Sequence, residues 1–210
     1  MTAIMKSVSP RICEKVANGD CTILVSKTVP KFDLPFKGYI CCTNAKPYLY
    51  KEANPPFELF LDSELYKGKG YDDRLFSGKV IGEFVCDKVF LLHPYTYDGG
   101  NADRERRKLI QTFEGSSKEN EILAATCLTQ DEMFDYIGAC NYGYGWHISD
   151  LKIYDKPKEL SEFSRPCSYS GLCFSCKRTS FKKDGNLLCN TKITRPPQSW
   201  MHVEDLGEEK

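Results

Sequence analysis

The sequence predicts an α+β fold: a small mixed β-barrel with short flanking helices, followed by a cysteine-rich tail stapled by zinc. Segments rich in β-branched and aromatic residues dominate the middle of the 210-residue chain, the helix-like segments are short, and no βαβ alternation is present. These observations favour a barrel over a doubly wound parallel sheet. We assign residues 1–155 to the barrel domain and residues 156–210 to the tail.

Composition restricts the class of function. Hydrophobic residues make up 41% of the chain and aromatic residues 12%, which is enough for a core and excludes wholesale disorder. The 29 basic and 29 acidic residues cancel, which argues against coating nucleic acid through bulk charge but leaves room for a local patch. No apolar run reaches the roughly 18 residues that cross a bilayer, and the N-terminus lacks the regions of a signal peptide. We therefore expect a cytoplasmic protein with no membrane partner.

The first part of the chain shows strand and helix signals in a clear order. Ser9 is a typical N-cap and Pro10 suits the first helical position, so a helix is expected over residues 11–17, ended by Asn18-Gly19. Strands are predicted at residues 3–8, 21–27 and 37–43. Residues 44–78 lack periodicity and are interpreted as a long surface excursion.

The remaining elements of the predicted barrel are less regular. They are a long strand at residues 79–92, an insertion at residues 93–121 with a charged helix near residues 102–113, and a strand at residues 142–154. Gly82 interrupts the long strand and indicates a bulge or sharp bend. Thr129 and Glu132 have the spacing of a capping box, which predicts a helix to about Ile137.

The eleven cysteines fall into two groups. Seven scattered ones are interpreted as small buried hydrophobic residues: Cys13, Cys21, Cys41, Cys42, Cys86, Cys127 and Cys140. The other four lie in a polar segment that can hardly fold unaided: Cys167, Cys173, Cys176 and Cys189. Because zinc takes about four soft ligands and a CxxC turn supplies two, these four predict a structural zinc site, with free thiols as the alternative and His202 as a substitute ligand.

The strand that begins at residue 142 has an unusual composition. Alternation places Tyr144 and Trp146 on one face, and Gly143, Gly145 and His147 on the other. A face with two glycines lets a ligand come close, and His147 could hydrogen-bond to it. The alternative is an aromatic core face whose glycines accommodate a neighbouring strand.

Four segments together resemble a known family: VANG at residues 16–19, CTILVSK at residues 21–27, GKVIGEF at residues 78–84 and YGWHISD at residues 144–150. In this order they resemble the ASCH domain of the PUA-like superfamily. The subgroup that they resemble occurs in Gram-positive bacteria and their phages and has a cysteine-rich C-terminal region. The resemblance implies a PUA-like β-barrel over roughly residues 4–155.

The catalytic signature of the family is only partly present. The family pattern is G-x-K-T-x-E-x-R, and members that hydrolyse acetylated cytidine have Thr in place of the Glu. Gly19 and Thr22 match this pattern, whereas the Lys, Glu or Thr, and Arg positions hold Cys21, Leu24 and Ser26. A leucine is neither nucleophile nor base, and a thiol would have to be activated as a thiolate, for instance by His147. We therefore expect no catalytic residues and no acetylcytidine chemistry.

Three functions remain open at this stage. The favoured one is a module that binds RNA or a modified nucleotide by stacking and edge hydrogen bonds, with these candidate ligand-binding residues: Thr22, Lys27, Lys31, Tyr144, Trp146 and His147. The second is a phage-derived inhibitor that binds a host defence protein through the insertions at residues 44–78 and 93–121. The third is a divergent nucleoside amidohydrolase that takes a carboxylate from Asp131 or Glu132.

Overall fold

The computed structural model describes residues 2–52, 58–63, 70, 73–96, 107–111, 119–138, 142–167, 179–181, 187–189 and 191–207. The α-helices within these residues are Pro10–Ala17 (α1), Glu119–Thr126 (α2) and Gln130–Ile137 (α3). The strands are Thr2–Val8 (β1), Ile23–Ser26 (β2), Phe36–Cys42 (β3), Tyr48–Lys51 (β4), Leu59–Asp62 (β5), Val80–Cys86 (β6), Val89–Thr96 (β7), Arg107–Gln111 (β8), Gly143–His147 (β9), Ser149–Lys158 (β10), Thr179–Phe181 (β11), Leu187–Cys189 (β12) and Trp200–Glu204 (β13). The fold is mixed α+β, as predicted.

Two sheets form the centre of the molecule. The larger has the strand order β10-β6-β3-β1-β13, in which β1 and β3 are parallel and the other pairs antiparallel. The smaller has the order β2-β9-β7-β8 and is antiparallel throughout. Two hairpins, β4–β5 and β11–β12, complete the described strands.

The chain passes between the two sheets at two corners. β6 leads into β7 through Asp87-Lys88, and β9 leads into β10 through Ile148. The corners are joined because the His147 N–H donates to the Lys88 carbonyl at 3.0 Å. Each of the two long strands predicted in these regions is therefore two strands, since the chain bends and enters the other sheet.

The hydrogen-bonded ladders among the described residues do not close into a barrel, which corrects that part of the prediction. Each sheet keeps two edges, β10 and β13 in the larger and β2 and β8 in the smaller. The corners let the strands change sheets, so two open sheets pack over a shared core. The bulge predicted at Gly82 is confirmed by a register shift beside its pairing with Ile40, and a Cβ at Gly82 would lie 2.5 Å from the Lys152 carbonyl oxygen.

Three hydrophobic clusters stabilise these layers. The largest lies between the two sheets and includes Ile4 and Val8 of β1 together with Leu24 and Trp146. The second covers the opposite face of the larger sheet, where Ala3, Met5 and Tyr39 meet Leu160, Phe163, Ile193 and Val203. In the third, α2 and α3 pack on the outer face of the smaller sheet. Both faces of β1 are therefore buried.

Two of the predicted helix signals are confirmed. Pro10 occupies the first turn of α1, and Gly19 follows its end with a φ of 80°, a conformation that glycine adopts without steric cost. At α3 the Thr129 hydroxyl accepts from the Glu132 N–H at 3.1 Å, and the Glu132 carboxylate accepts from the Thr129 N–H at 2.9 Å. The charged helix predicted near residues 102–113 is wrong where that segment is described, because residues 107–111 form β8.

The region at residues 44–78 also departs from the prediction. β4 and β5 form a hairpin, and Tyr48, Leu49 and Tyr50 are buried. The Leu49 N–H donates to the Ser77 hydroxyl at 2.8 Å, and Phe76 is fully buried. This segment therefore contributes to the core and is only partly a surface excursion.

The C-terminal region returns to the larger sheet. β13 pairs with β1, with Trp200 opposite Lys6. Cys173 and Cys176 lie outside the described residues, Cys167 is an exposed free thiol, and Cys189 pairs with Thr179 across the β11–β12 hairpin. No group of three or more metal-ligating side chains occurs in the described part of the chain, so the zinc site stays a prediction.

The scattered cysteines are placed largely as predicted. Cys13, Cys21, Cys41, Cys42 and Cys86 are buried free thiols. Cys127 is partly exposed, and Cys140 lies outside the described residues. Within those residues, no helix combines the length and the apolar character needed to cross a membrane.

Candidate functional site

A cleft of about 210 Å³ lies where the N-terminus of α1 meets β2 and α3. Its lining includes Lys6 and Val8 of β1, Ser9 and Ile12 at α1, Leu24 of β2, and Glu132 and Tyr136 of α3. Most of this surface is apolar, with a few polar groups among it. A concave apolar site with a small number of polar groups is the usual form of a small-ligand site.

Lys6 is the most unusual residue of the cleft. It shares a face of β1 with Ile4 and Val8, so its side chain projects into the core between the sheets and is only 3% exposed. Its amino group lies 5.0 Å from the centroid of the Trp146 ring. No carboxylate among the described residues pairs with it, and burial lowers the pKa of Lys6 to about 8. Lys6 is therefore a buried amino group with no counter-charge in the part of the chain that the structure describes.

Two further buried groups, on the core face of the smaller sheet, lack a hydrogen-bond partner among the described residues. They are the Trp146 indole nitrogen and the Ser26 hydroxyl. Trp146 pairs with Leu24 and Ser26 with Tyr144, so Ser26 and Trp146 are diagonal neighbours on the core face of the smaller sheet. Neither Ser26 nor Trp146 is among the lining residues of the cleft, so both groups belong to the core behind it.

The N-terminus of α1 adds backbone donors beside Lys6. Ser9 is the N-cap, but its side chain makes no capping hydrogen bond. The first backbone bond runs from the Cys13 N–H to the Ser9 carbonyl at 2.9 Å, so the amides of Arg11 and Ile12 precede the helical ladder. These amides and the helix dipole favour a negative charge at this end of the cleft.

The mouth of the cleft carries an aromatic ring and balanced charges. Tyr136 is 38% exposed, and the Lys27 amino group lies 5.4 Å from the centroid of its ring. The Glu132 carboxylate lies 3.5 Å from the Arg11 guanidinium. The Thr129 N–H and, less strongly, Arg11 lower the pKa of Glu132. The negative charge at the mouth is therefore already compensated.

None of the six predicted ligand-binding residues is among the lining residues of the cleft, although two of them contact residues that are. Trp146 lies beneath Lys6, and Lys27 lies over Tyr136 at the mouth. Thr22 is exposed just before β2, Lys31 is exposed in the following loop, and Tyr144 is partly buried; none of these three is among the lining residues. Lys6 was missed, although alternation already placed a lysine on the same face as Ile4 and Val8.

The glycine face of β9 is covered by protein. A Cβ at Gly143 would collide with Ile137 of α3, and one at Gly145 would lie 2.8 Å from Ile23 Cγ2. The prediction that these glycines open space for a ligand is therefore wrong. The alternative, in which the glycines accommodate neighbouring protein, agrees with the structure: they let α3 and a side chain of β2 pack closely on the strand.

His147 lies at the corner between the sheets and not among the lining residues of the cleft. Its Nδ1 forms a hydrogen bond with Asp87 Oδ1, and both side chains are about one-third exposed. This hydrogen bond is the main cause of the lowered pKa of Asp87. The geometry gives His147 a role in holding the corner.

The positions of the family signature carry no activated nucleophile. Cys21 is 1% exposed, and its sulfur lies 3.5 Å from the carbonyl oxygens of Ile23 and Thr126. Burial raises the pKa of Cys21 to about 12, so its thiol is protonated at neutral pH. Leu24 is buried in the lining of the cleft.

The fold and cleft together define a mixed α+β protein with a candidate small-ligand site. No family model matches the chain, and no curated protein matches it. Among solved structures, the chain is similar to an ASCH protein from Zymomonas mobilis at 11% identity and a TM-score of 0.47, covering 95% of this chain and 85% of that one. It is also similar to a single-residue variant of that protein, at 10% identity and a TM-score of 0.47, over 95% and 86% of the two chains. Both structures carry the name of the family that the sequence resembles.

Proposed function

We propose that the protein is an ASCH-type, PUA-like module that binds a modified nucleotide or a nucleotide of single-stranded RNA in the cleft between α1, β2 and α3. The observation that carries this proposal is the combination of an exposed aromatic ring at the mouth, Tyr136, with a buried amino group at the floor, Lys6. A base needs a flat surface to stack on, and a phosphate needs a cation and N–H donors.

The charges around the mouth support this assignment. Lys27 lies over Tyr136, and Glu132, the acidic residue among those that line the cleft, lies 3.5 Å from Arg11. Stacking of a base on an exposed aromatic side chain contributes about 1–3 kcal/mol. With no net charge on the chain, we expect binding to depend on this local site rather than on general attraction to the RNA backbone.

We propose binding without hydrolysis. Covalent catalysis needs a nucleophile next to a base. At the signature positions the described structure offers a buried, protonated thiol at Cys21 and an alkyl side chain at Leu24. These two residues support binding over the divergent-amidohydrolase alternative, which would take a carboxylate from Asp131 or Glu132.

We also propose one structural zinc ion in the tail, held by Cys167, Cys173, Cys176 and Cys189. Two observations on the described residues support the fit. Cys167 is an exposed free thiol. Cys189 pairs with Thr179, and Thr179 lies three residues after Cys176, so the hairpin brings the backbone at Cys189 near the segment that follows Cys176. Zinc would join segments that have little core of their own. Metal analysis after exhaustive dialysis should find one zinc per chain, and a metal-free protein with a folded tail would disprove this part.

The binding proposal is tested with a matched pair of tyrosine variants. Tyr136 lines the cleft, whereas Tyr142 is 53% exposed and not among the lining residues. Calorimetric titrations would use a short single-stranded RNA and acetylated cytidine nucleotides. Tyr136→Ala should weaken binding about tenfold or more, and Tyr142→Ala should leave it unchanged. Absence of saturable binding to all of these ligands, or equal effects of the two variants, would refute the proposal.

A further inference from the structure

Lys6 differs from the other partly buried lysines of the described structure. Lys37 lies 3.1 Å from both Glu83 and Asp205, and Lys79 lies 3.0 Å from Glu159. The side chains of Lys37 and Lys79 are 25% and 19% exposed, whereas the whole of Lys6 is only 3% exposed. The most deeply buried of these cations is thus the one without a carboxylate among the described residues.

Such an arrangement is costly in the free protein. A buried charge is normally paired or hydrogen-bonded, because its lost hydration must be replaced. The face of the Trp146 ring, 5.0 Å away, replaces only part of that hydration. A negative group that arrives with a ligand would supply the missing partner.

Other donors converge on the same end of the cleft. Ser9 and Ile12 bring the free amides of the α1 N-terminus to its lining. Glu132 is the acidic group in the lining, and it is paired with Arg11. The inner part of the cleft therefore offers donors and positive charge, which is the complement of an oxyanion.

We infer that Lys6 and the N-terminus of α1 form an oxyanion subsite that takes the phosphate monoester of a nucleotide, so that the cleft selects nucleoside monophosphates over uncharged nucleosides. The phosphate enters first and lies against the Lys6 amino group, and the base remains near Tyr136 at the mouth. The nucleotide part of this inference rests on the proposed function. The oxyanion part rests on Lys6 and α1 alone.

The test compares three probes on three proteins by calorimetry at neutral pH. The probes are inorganic phosphate, a nucleoside 5′-monophosphate and the matching nucleoside. The proteins are the wild type, Lys6→Met, and the control Lys156→Met, whose lysine is exposed and not among the lining residues. The wild type and the control should bind the monophosphate at least about tenfold more tightly than the nucleoside, and Lys6→Met should lose that preference.

A second measurement does not depend on a neutral variant that folds. The Lys6 Cε resonance of the wild type, assigned by comparison with Lys6→Arg, should shift when phosphate is added. An unshifted resonance, together with equal affinity of nucleoside and monophosphate, would overturn the subsite and leave the nucleotide proposal standing. Lys6-dependent binding of phosphate with no gain from the nucleoside part would support the subsite and contradict the nucleotide proposal.

Discussion

The amino group of Lys6 lies 5.0 Å from the centroid of the Trp146 ring, in the core between the two sheets. The two residues come from distant parts of the chain and belong to different sheets. Trp146 also packs against Phe36 and Trp200, with ring centroids 5.7 and 6.2 Å away. The lysine is therefore surrounded by aromatic and aliphatic groups, which explains its lowered pKa.

Lys6→Met should stabilise the protein at neutral pH. The pKa of Lys6 falls from 10.5 to about 8 on folding, which corresponds to about 3 kcal/mol, reduced in practice by the lost contact with Trp146. Between pH 8 and 10.5 the unfolded chain binds more protons than the folded chain, so the wild type gains stability as the pH rises through this window.

Urea unfolding of both proteins at neutral pH and near pH 10 checks this prediction. The advantage of Lys6→Met should be largest at neutral pH and should shrink at the higher pH. A difference in the free energy of unfolding that does not change with pH would show that packing, rather than the buried charge, causes the difference in stability.

Trp146→Ala and His147→Ala should have different effects although the residues are adjacent. Trp146 is fully buried in the main core, so its truncation should cost about 3–5 kcal/mol. His147→Ala removes a partly exposed hydrogen bond to Asp87 and should lower the melting temperature far less. Nucleotide binding should persist in His147→Ala, because His147 does not line the cleft. A loss of nucleotide binding in a folded His147→Ala protein would show that His147 takes part in binding after all.

Gly143→Ala should destabilise the protein through α3. Its new Cβ would meet the Ile137 side chain, and overpacking of this kind costs about 1–3 kcal/mol. Because Ile137 Cδ1 is the nearest atom, the same substitution should cost less in an Ile137→Val background. Thermal melts of the four proteins in this double-mutant cycle measure the coupling, and strictly additive effects would contradict the contact.

Hydrolysis of acetylated cytidine should be negligible, and Cys21→Ala should not change it. The pKa of Cys21 is about 12 and its side chain is buried, so the thiol is neither ionised nor accessible at neutral pH. Chromatographic assay of deacetylation against a buffer blank checks the rate. Turnover that disappears in Cys21→Ala would mean that the thiol has replaced the missing nucleophile.

Local signals in the sequence predicted the local structure well. The first-turn proline of α1 and the Thr129–Glu132 capping box depend on residues within one helical turn of each other, and both are present. The corners at which the chain changes sheets were not predicted from the sequence, in contrast to the bulge at Gly82. Residues 79–92 were predicted as one strand because apolar residues lie on both sides of the charged pair Asp87-Lys88, and the ladder changes sheets at that pair.

The candidate site was only partly predictable, because it is formed by residues that are distant from each other in the chain. Trp146 and Lys27 were recognised from composition and from the family resemblance, and both contact the cleft residues. His147 and the two glycines of β9 were interpreted as a ligand-facing surface. Their surroundings depend on α3 and on the corner at Asp87, which alternation along one strand does not reveal.

By itself the sequence determined the α+β class, the first-turn proline of α1, the capping box of α3, the apolar surroundings of most scattered cysteines and the loss of the family's charged signature. Each of these follows from residue type or from neighbours close in the chain. The tertiary structure alone decided that the ladders stay open, that β13 returns to pair with β1, and that Lys6 lies buried without a carboxylate partner among the described residues. The physical reason is that the hydration and charge pairing of a side chain depend on every element packed around it, and for Lys6 those elements come from both ends and the middle of the chain.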